Sequence, residues 1–254
     1  MLLLPRNKTP KAVKCLIRSW FFAKYQTRKN MKIRCLHRWN LSYQQAIALQ
    51  KQLADKLLFT SLKKPPKLIA GLDCAFSKDK QKIIAVALVL QLPDFELVET
   101  ITTVKKVTFP YIPGLLSFRE APVCIAAVEK LKKIPDLFII DGQGIAHPRR
   151  LGLAAHLGLF FDKPTIGCAK SRLIGTFNEP PPKKGSYSLL KDKNQTIGAV
   201  LRTRTNVKPV FISAGHKCQL DDAIKWVLRC SVKYRLPEPT RLAHQIVSKM
   251  KLKI

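Results

Sequence analysis

Three acidic residues stand where a chain rarely leaves a carboxylate unaccompanied. Asp73 lies inside the apolar run "LIAGLDCAF", Asp141 ends the run "LFIID", and Glu120 follows the stiff segment "PYIPGLLSFRE". An unpaired buried carboxylate costs about several kcal/mol or shifts its pKa until it neutralises, so acids in such contexts call for a partner. A single divalent cation would serve all three. Hard oxygen donors suit Mg²⁺ or Mn²⁺, which keep part of their water shell and take substrate phosphate as further ligands. The chemistry this points to is metal-assisted hydrolysis of a phosphodiester. The competing reading of each acid alone is a salt bridge to one of the many Lys and Arg residues; three acids at strand and helix edges favour the metal.

Other polar residues sit beside the same kind of edge. His216 in "FISAGHK" follows a β-rich run and is read either as a hydrogen-bonded structural histidine or as an acid, a base or an orienting group for water. Lys170 in "GCAKS" is read either as a group that holds a phosphate or positions the nucleophile, or as one more of the chain's many lysines without a role. His147, Arg149 and Arg150 in "GIAHPRRLG" are expected to open a helix, read either as a place where amides and basic side chains bind phosphate together or as a solvated basic helix start.

The elements that must position these groups follow from periodicity. "NLSYQQAIALQKQLADKLL" has helical spacing, Ser42 as its N-cap and "KKPPK" as its stop. "KLIAGLDCAF", "KIIAVALVLQL" and "FELVETITTVKKVTF" are β-rich runs that predict an antiparallel meander, followed by a helix over about residues 117–133. "PDLFIIDGQG" reads as a buried strand running out at its carboxyl end. "RRLGLAAHLGLFF" reads as a helix, "PTIGCAK", "TIGAVLRTR" and "KPVFISAGH" as strands, and "LDDAIKWVLRC" as an amphipathic helix. This order predicts one α/β domain, a central mixed β-sheet flanked by helices.

Charge narrows the partner. The 254 residues carry 46 Lys and Arg against 16 Asp and Glu, a formal charge of +30. That excess attracts a polyanion, so nucleic acid or an anionic membrane surface is the expected partner class. No run of about 20 apolar residues occurs, and the chain is expected to be soluble, cytoplasmic and monomeric. Seven scattered cysteines with no CxxC pair argue against a disulfide framework or a zinc knuckle. Residues 1–40 form a basic arm ahead of a catalytic unit at 41–254, with no acid before Asp55. Three readings of the arm stand side by side: a phosphate-binding tail, a mitochondrial-type presequence, or sequence upstream of a start at Met31.

"DGQGIAHPRRLGLAAHLG", "PYIPGLLSFRE", "PTIGCAK", "SAGHK" and "YRLPEPTRLAH" resemble the signature segments of the endonuclease V family, deoxyinosine-specific nucleases of ribonuclease H-like fold. The resemblance runs from about Leu68 to His244 and is nearer to the bacterial DNA-repair members. It implies that Asp73, Glu120 and Asp141 bind Mg²⁺, with Mn²⁺ also effective, and that His216 and Lys170 support catalysis. It implies that Pro110, Tyr111, Ile112 and Pro113 form a wedge filling the gap left by a flipped base. The base would be held around Gly114, Leu116, Gly142 and Gly144, with His147 nearby. The implied reaction on deoxyinosine-containing DNA is hydrolysis of the second phosphodiester 3′ to the lesion, leaving 3′-hydroxyl and 5′-phosphate ends.

Physical reasoning fits the wedge. Unstacking a base costs about a few kcal/mol, and two prolines make the inserting loop stiff before it arrives. Hypoxanthine carries an acceptor where adenine carries a donor at position 6, so a backbone N–H aimed there discriminates between them. The alternatives are an inosine-specific endoribonuclease on single-stranded RNA, a nuclease of the same fold without lesion specificity, and a basic nucleic-acid-binding protein without catalysis.

Overall fold

The computed structural model describes residues 31–252, and the readings of residues 1–30 lie outside them. Helix α1 (Tyr43–Ala54) starts where the sequence places it. The Ser42 hydroxyl accepts from the Gln45 amide and the Gln45 side chain accepts from the Ser42 amide, a reciprocal cap. Strands β1 (Leu68–Phe76), β2 (Lys82–Gln91) and β3 (Glu96–Lys106) form the expected antiparallel meander. β2 is buried along almost its whole length, whereas β3, at the sheet edge, is largely open.

Helix α2 (Leu116–Val128) is shorter than the sequence suggests and carries Pro122 in its interior. Strand β4 (Leu137–Ile140) and strand β5 (Thr165–Ala169) bracket helix α3 (Leu153–Phe161), all nine residues of which are buried. α3 begins four residues later than "RRLGLAAHLGLFF" implies. Strands β6 (Tyr187–Asp192), β7 (Gln195–Leu201) and β8 (Val210–Ala214) precede helices α4 (Leu220–Cys230) and α5 (Glu238–Lys251). Strand β6 and helix α5 are absent from the sequence-based reading.

The eight strands make one mixed sheet in the order β3-β2-β1-β4-β5-β8-β7-β6. β1, β4 and β5 run parallel, and β2, β3, β6, β7 and β8 pair antiparallel to their neighbours. This is the ribonuclease H-like α/β arrangement expected. One face of the sheet packs α2 and α3 through Leu72, Ile140, Val123 and Leu157, and the other packs α4 and α5 through Ile69, Ile139, Trp226 and Val247. Among the described residues no helix is long and apolar enough to cross a membrane.

The sequence boundary at residue 40 runs through a packed segment. Met31 is buried in the core, Ile33, Leu36 and Trp39 lean against it, and the Arg34 amide donates to the Phe160 carbonyl. His37 Nε2 meets His156 Nε2 at 2.8 Å, and His156 Nδ1 meets the Ser117 hydroxyl at 3.1 Å. Desolvation, with His37 as a like-charged neighbour, pushes fully buried His156 down to about 3 from 6.5. The unfolded chain therefore binds a proton below pH 6.5 that the folded chain refuses, and stability falls as pH drops through that window. Between pH 7 and pH 5 the expected loss is on the order of 2 kcal/mol. Urea midpoints at the two pH values should show a clearly smaller difference in His156→Asn; an undiminished difference would assign the acid sensitivity elsewhere.

Candidate active site

The parallel register of β1 and β4 brings the first two acids together. Leu72 is opposite Ile140, and the Asp141 amide donates to the Leu72 carbonyl, so Asp73 and Asp141 emerge side by side at the carboxyl edge. β5 runs beside β4 in the same direction and delivers Lys170 one residue past its end. Lys170 Nζ lies 2.6 Å from Asp141 Oδ2. Helix α5 supplies a residue that the sequence reading did not single out: His244 Nδ1 lies 2.7 Å from Asp73 Oδ2 and 3.3 Å from Lys170 Nζ. The shorter contact takes the ring proton, since a carboxylate only accepts and an ammonium only donates.

A glycine sets that helix in place. A Cβ on Gly71 would lie 2.0 Å from the Pro239 carbonyl oxygen, so any side chain there lifts the start of α5 off β1. His244, five residues further along the helix, advances by about 7.5 Å, close to the about 6.6 Å between strand residues two apart. Helix and strand thus bring His244 level with Asp73.

One ligand atom from each of Asp73, Asp141 and His244 falls within a 4.8 Å group, the separation expected of donors to one cation. Glu120 is not in that tight group. Side chains on a strand alternate between faces, and Asp73 shares Gly71's face toward α5 while Cys74 faces α2. Glu120, on α2, stands beside the Cys74 thiol and lines the cleft from that side. Burial, then the negative charges of Asp73 and Asp141, push its carboxyl up to about 8. Burial and Asp141 raise Asp73 to about 6, against the pull of His244 and Lys170. Burial and the neighbouring negative charges thus carry Asp73 and Glu120 toward the neutral range, and Lys170 and His244 only partly offset this.

The same cleft, of about 580 Å³, reaches from this cluster to the proline loop. Tyr111, Ile112, Pro113, Gly114, Leu116, Gly142 and Gln143 line it, as do Lys170, Arg172 and Lys251. Tyr111 is 70% exposed at the loop tip, with Pro110 and Pro113 exposed on either side. Gly142 takes φ 147°, in the region that favours glycine.

Three sequence expectations change here. Gly144 does not line the cleft: it is buried, its amide donates to the Ser213 hydroxyl, and a Cβ would sit 2.1 Å from the Ala214 carbonyl oxygen. His147 lines the cleft as expected, 4% exposed, with Nε2 against the Gly114 carbonyl at 3.0 Å and Nδ1 against the Arg149 amide at 3.2 Å, so both ring nitrogens are engaged. Desolvation and Arg149 hold it neutral, down to about 4. Arg149 and Arg150 precede α3 rather than open it; Arg149 bonds Gly114 and Gln50, and Arg150 bonds Asp192.

His216 is at the wrong edge. β8 runs antiparallel to β5, so the residue after β8 returns to the start of β5, where the His216 carbonyl accepts from the Thr165 amide. The ring is 1% exposed, accepts from the Leu58 amide at 3.3 Å and lies 3.6 Å from Asp162. His244 had a signal in the sequence: it ends the motif "YRLPEPTRLAH", beside the apolar stripe Ala243–Val247 of a helix whose first turn tolerates Pro239.

The family model described as Endonuclease V matches residues 51–245. The Endonuclease V of Nostoc punctiforme is 47% identical over 213 residues, 84% of this chain and 96% of the relative. The crystal structure of Endonuclease V from Streptomyces avermitilis superposes with TM-score 0.82 at 37% identity, covering 87% of this chain and 98% of the other. Endonuclease V of Ciona intestinalis, solved in complex with a 24mer DNA containing an inosine followed by a ribo-adenosine, superposes with TM-score 0.70 at 31% identity, covering 81% and 96%.

Proposed function

Because the chain belongs to the endonuclease V family, we propose that it is a DNA-repair endonuclease that recognises deoxyinosine and hydrolyses the second phosphodiester bond on its 3′ side. The observation that carries this reading is the opening of Asp73, Glu120, Asp141, Lys170 and His244 into the same cleft as the proline loop. Chemistry and base displacement then have separate ends of one groove, which fits a cut offset from the lesion and a product that retains it. The bound inosine-containing DNA of the Ciona relative is consistent with that substrate class.

The residues fit a divalent cation. Carboxylate oxygens and one imidazole converge, and burial together with neighbouring negative charge raises the pKa values of Asp73 and Glu120, a cost that a bound cation would relieve. When bound, Mg²⁺, with Mn²⁺ as a substitute, supplies Lewis-acid polarisation of the scissile phosphodiester. The chain's own groups hold the site open for it. Lys170 fixes Asp141 Oδ2, while the Cys74 amide and His244 hold the two oxygens of Asp73. Arg172 and Lys251 line the cleft as counter-charges for the flanking phosphates. Tyr111 at the stiff loop tip is the inserting side chain, filling the gap beside the displaced base.

The test is cleavage of end-labelled oligonucleotides carrying one deoxyinosine, beside unmodified and inosine-RNA counterparts, with Mg²⁺ or Mn²⁺. A metal-dependent cut one nucleotide 3′ of deoxyinosine, in the modified DNA only, is expected. A preferred cut in the RNA would transfer the activity to inosine in RNA, and binding with no cut would leave a nucleic-acid-binding protein.

A further inference from the structure

Gln50 is fully buried on α1, just outside the segment the family model matches, and every hydrogen-bonding group of its amide is engaged. Nε2 donates to the Gly114 carbonyl at 3.0 Å and to the Leu151 carbonyl at 3.1 Å, and Oε1 accepts from Arg149 Nε at 2.5 Å. Arg149 Nη2 donates to the same Gly114 carbonyl at 2.6 Å, and so does His147 Nε2 at 3.0 Å. A carbonyl offers two lone pairs, and here three side-chain donors converge on one. Gly114, at φ 77°, ends the proline loop, and a Cβ on it would stand 2.6 Å from Arg149 Nη2. Above this anchor the loop has little further support: the Leu115 amide closes on the Ile112 carbonyl, Ile112 packs against the cluster of Ala46, Phe109, Leu115 and Phe118, and the tip is open.

We propose that Gln50 is a positioning residue for base displacement, holding the proline loop erect from beneath through the Gly114 carbonyl and Arg149. The inference deepens the nuclease reading and rests on it. Two prolines stiffen the loop internally but do not set its angle to the cleft; the clamp on Gly114 does. A loop already aimed at the stack pays no ordering cost when the base leaves, which speeds the step that precedes chemistry. The advantage belongs to duplex substrates. In a single strand the base has no pair to break, and the wedge has little to do.

The informative variant is Gln50→Glu, which keeps the acceptor for Arg149 and deletes the donors to Gly114 and Leu151. On duplex deoxyinosine its kcat should fall about 30-fold with KM within about threefold, while kcat on a single-stranded deoxyinosine oligonucleotide stays within about threefold. A 2-aminopurine beside the lesion in duplex DNA, with Ca²⁺ replacing Mg²⁺ to suspend cleavage, should brighten on binding wild type and markedly less on binding the variant. Gln50→Met, uncharged and of similar volume, should repeat both results. Equal losses on duplex and single strand would make Gln50 part of the scaffold only, and an unchanged duplex kcat would also overturn the proposal. If wild type cut neither oligonucleotide, the nuclease reading would fall and the fluorescence comparison would decide the clamp by itself.

Discussion

Replacing Asp141 by Asn is expected to lower cleavage of a deoxyinosine oligonucleotide by at least about 10³-fold while DNA binding changes little, because several kcal/mol of charge stabilisation at the phosphodiester depends on this carboxylate. Asn keeps the shape and removes the charge. Asp141 is the centre of the cluster: it stands beside Asp73, pairs with Lys170 and raises Glu120. With a formal charge of +30, phosphate contacts away from the cluster are expected to supply most of the affinity, so binding should survive where catalysis does not. The same variant has a thermal signature. Without a cation, Asp73 titrates at about 6 and Glu120 at about 8, so the folded chain holds protons there that the unfolded chain has released. Stability from these groups is present at low pH and lost as pH rises through those values. A cation binds the ionised forms, and the rise in Tm on adding Mn²⁺ should therefore be larger at pH 8 than at pH 6. In Asp141→Asn that rise should largely vanish, and the cation-free protein should be more stable than wild type at pH 8, since one repelling charge is gone. Residual cleavage within tenfold of wild type would remove Asp141 from the chemistry.

What the sequence shows of this molecule depends on whether the signal is local. The Ser42 cap, the three strands of the meander and the abrupt end of "LFIID" are written in neighbouring residues, and the structure has each of them in place. Strand β6 is not legible in the sequence because only Leu190 in it is buried while Tyr187 and Leu189 face outward, so an edge strand looks like the loop before it. Helix α5 was hidden by "PEPT", a loop-like string that is equally a helix start, where a proline loses no hydrogen bond. The carboxylates were found because buried acids are costly wherever they occur. The ring that bonds Asp73 was not, because the pairing of residues 73 and 244 is set by how α5 lies on β1, and the glycine that allows it is 173 positions before that histidine in the chain.

The two histidines make that point testable. His244→Ala should lower cleavage by about 10²-fold, equivalent to about 2.7 kcal/mol, with Tm little changed. The ring is half exposed and packs little, but it holds Asp73 Oδ2 and belongs to the group of residues able to hold a cation. His216→Asn should do the reverse. It replaces a buried ring by a shorter amide that fills less of the space beside Leu58 and Asp162 and should cost about 1–2 kcal/mol of stability, yet leave kcat within about threefold when assayed well below its Tm. Both histidines follow a glycine- or alanine-bearing apolar run, and no local pattern ranks one above the other. Strand direction does: β8 opposes β5, which sends His216 to the edge where β5 begins, while α5 carries His244 to the edge where β5 ends. A large loss of kcat in His216→Asn would mean that the far edge communicates with the cleft through Thr165 and the length of β5, and the assignment of the cleft as a self-contained site would have to be redrawn.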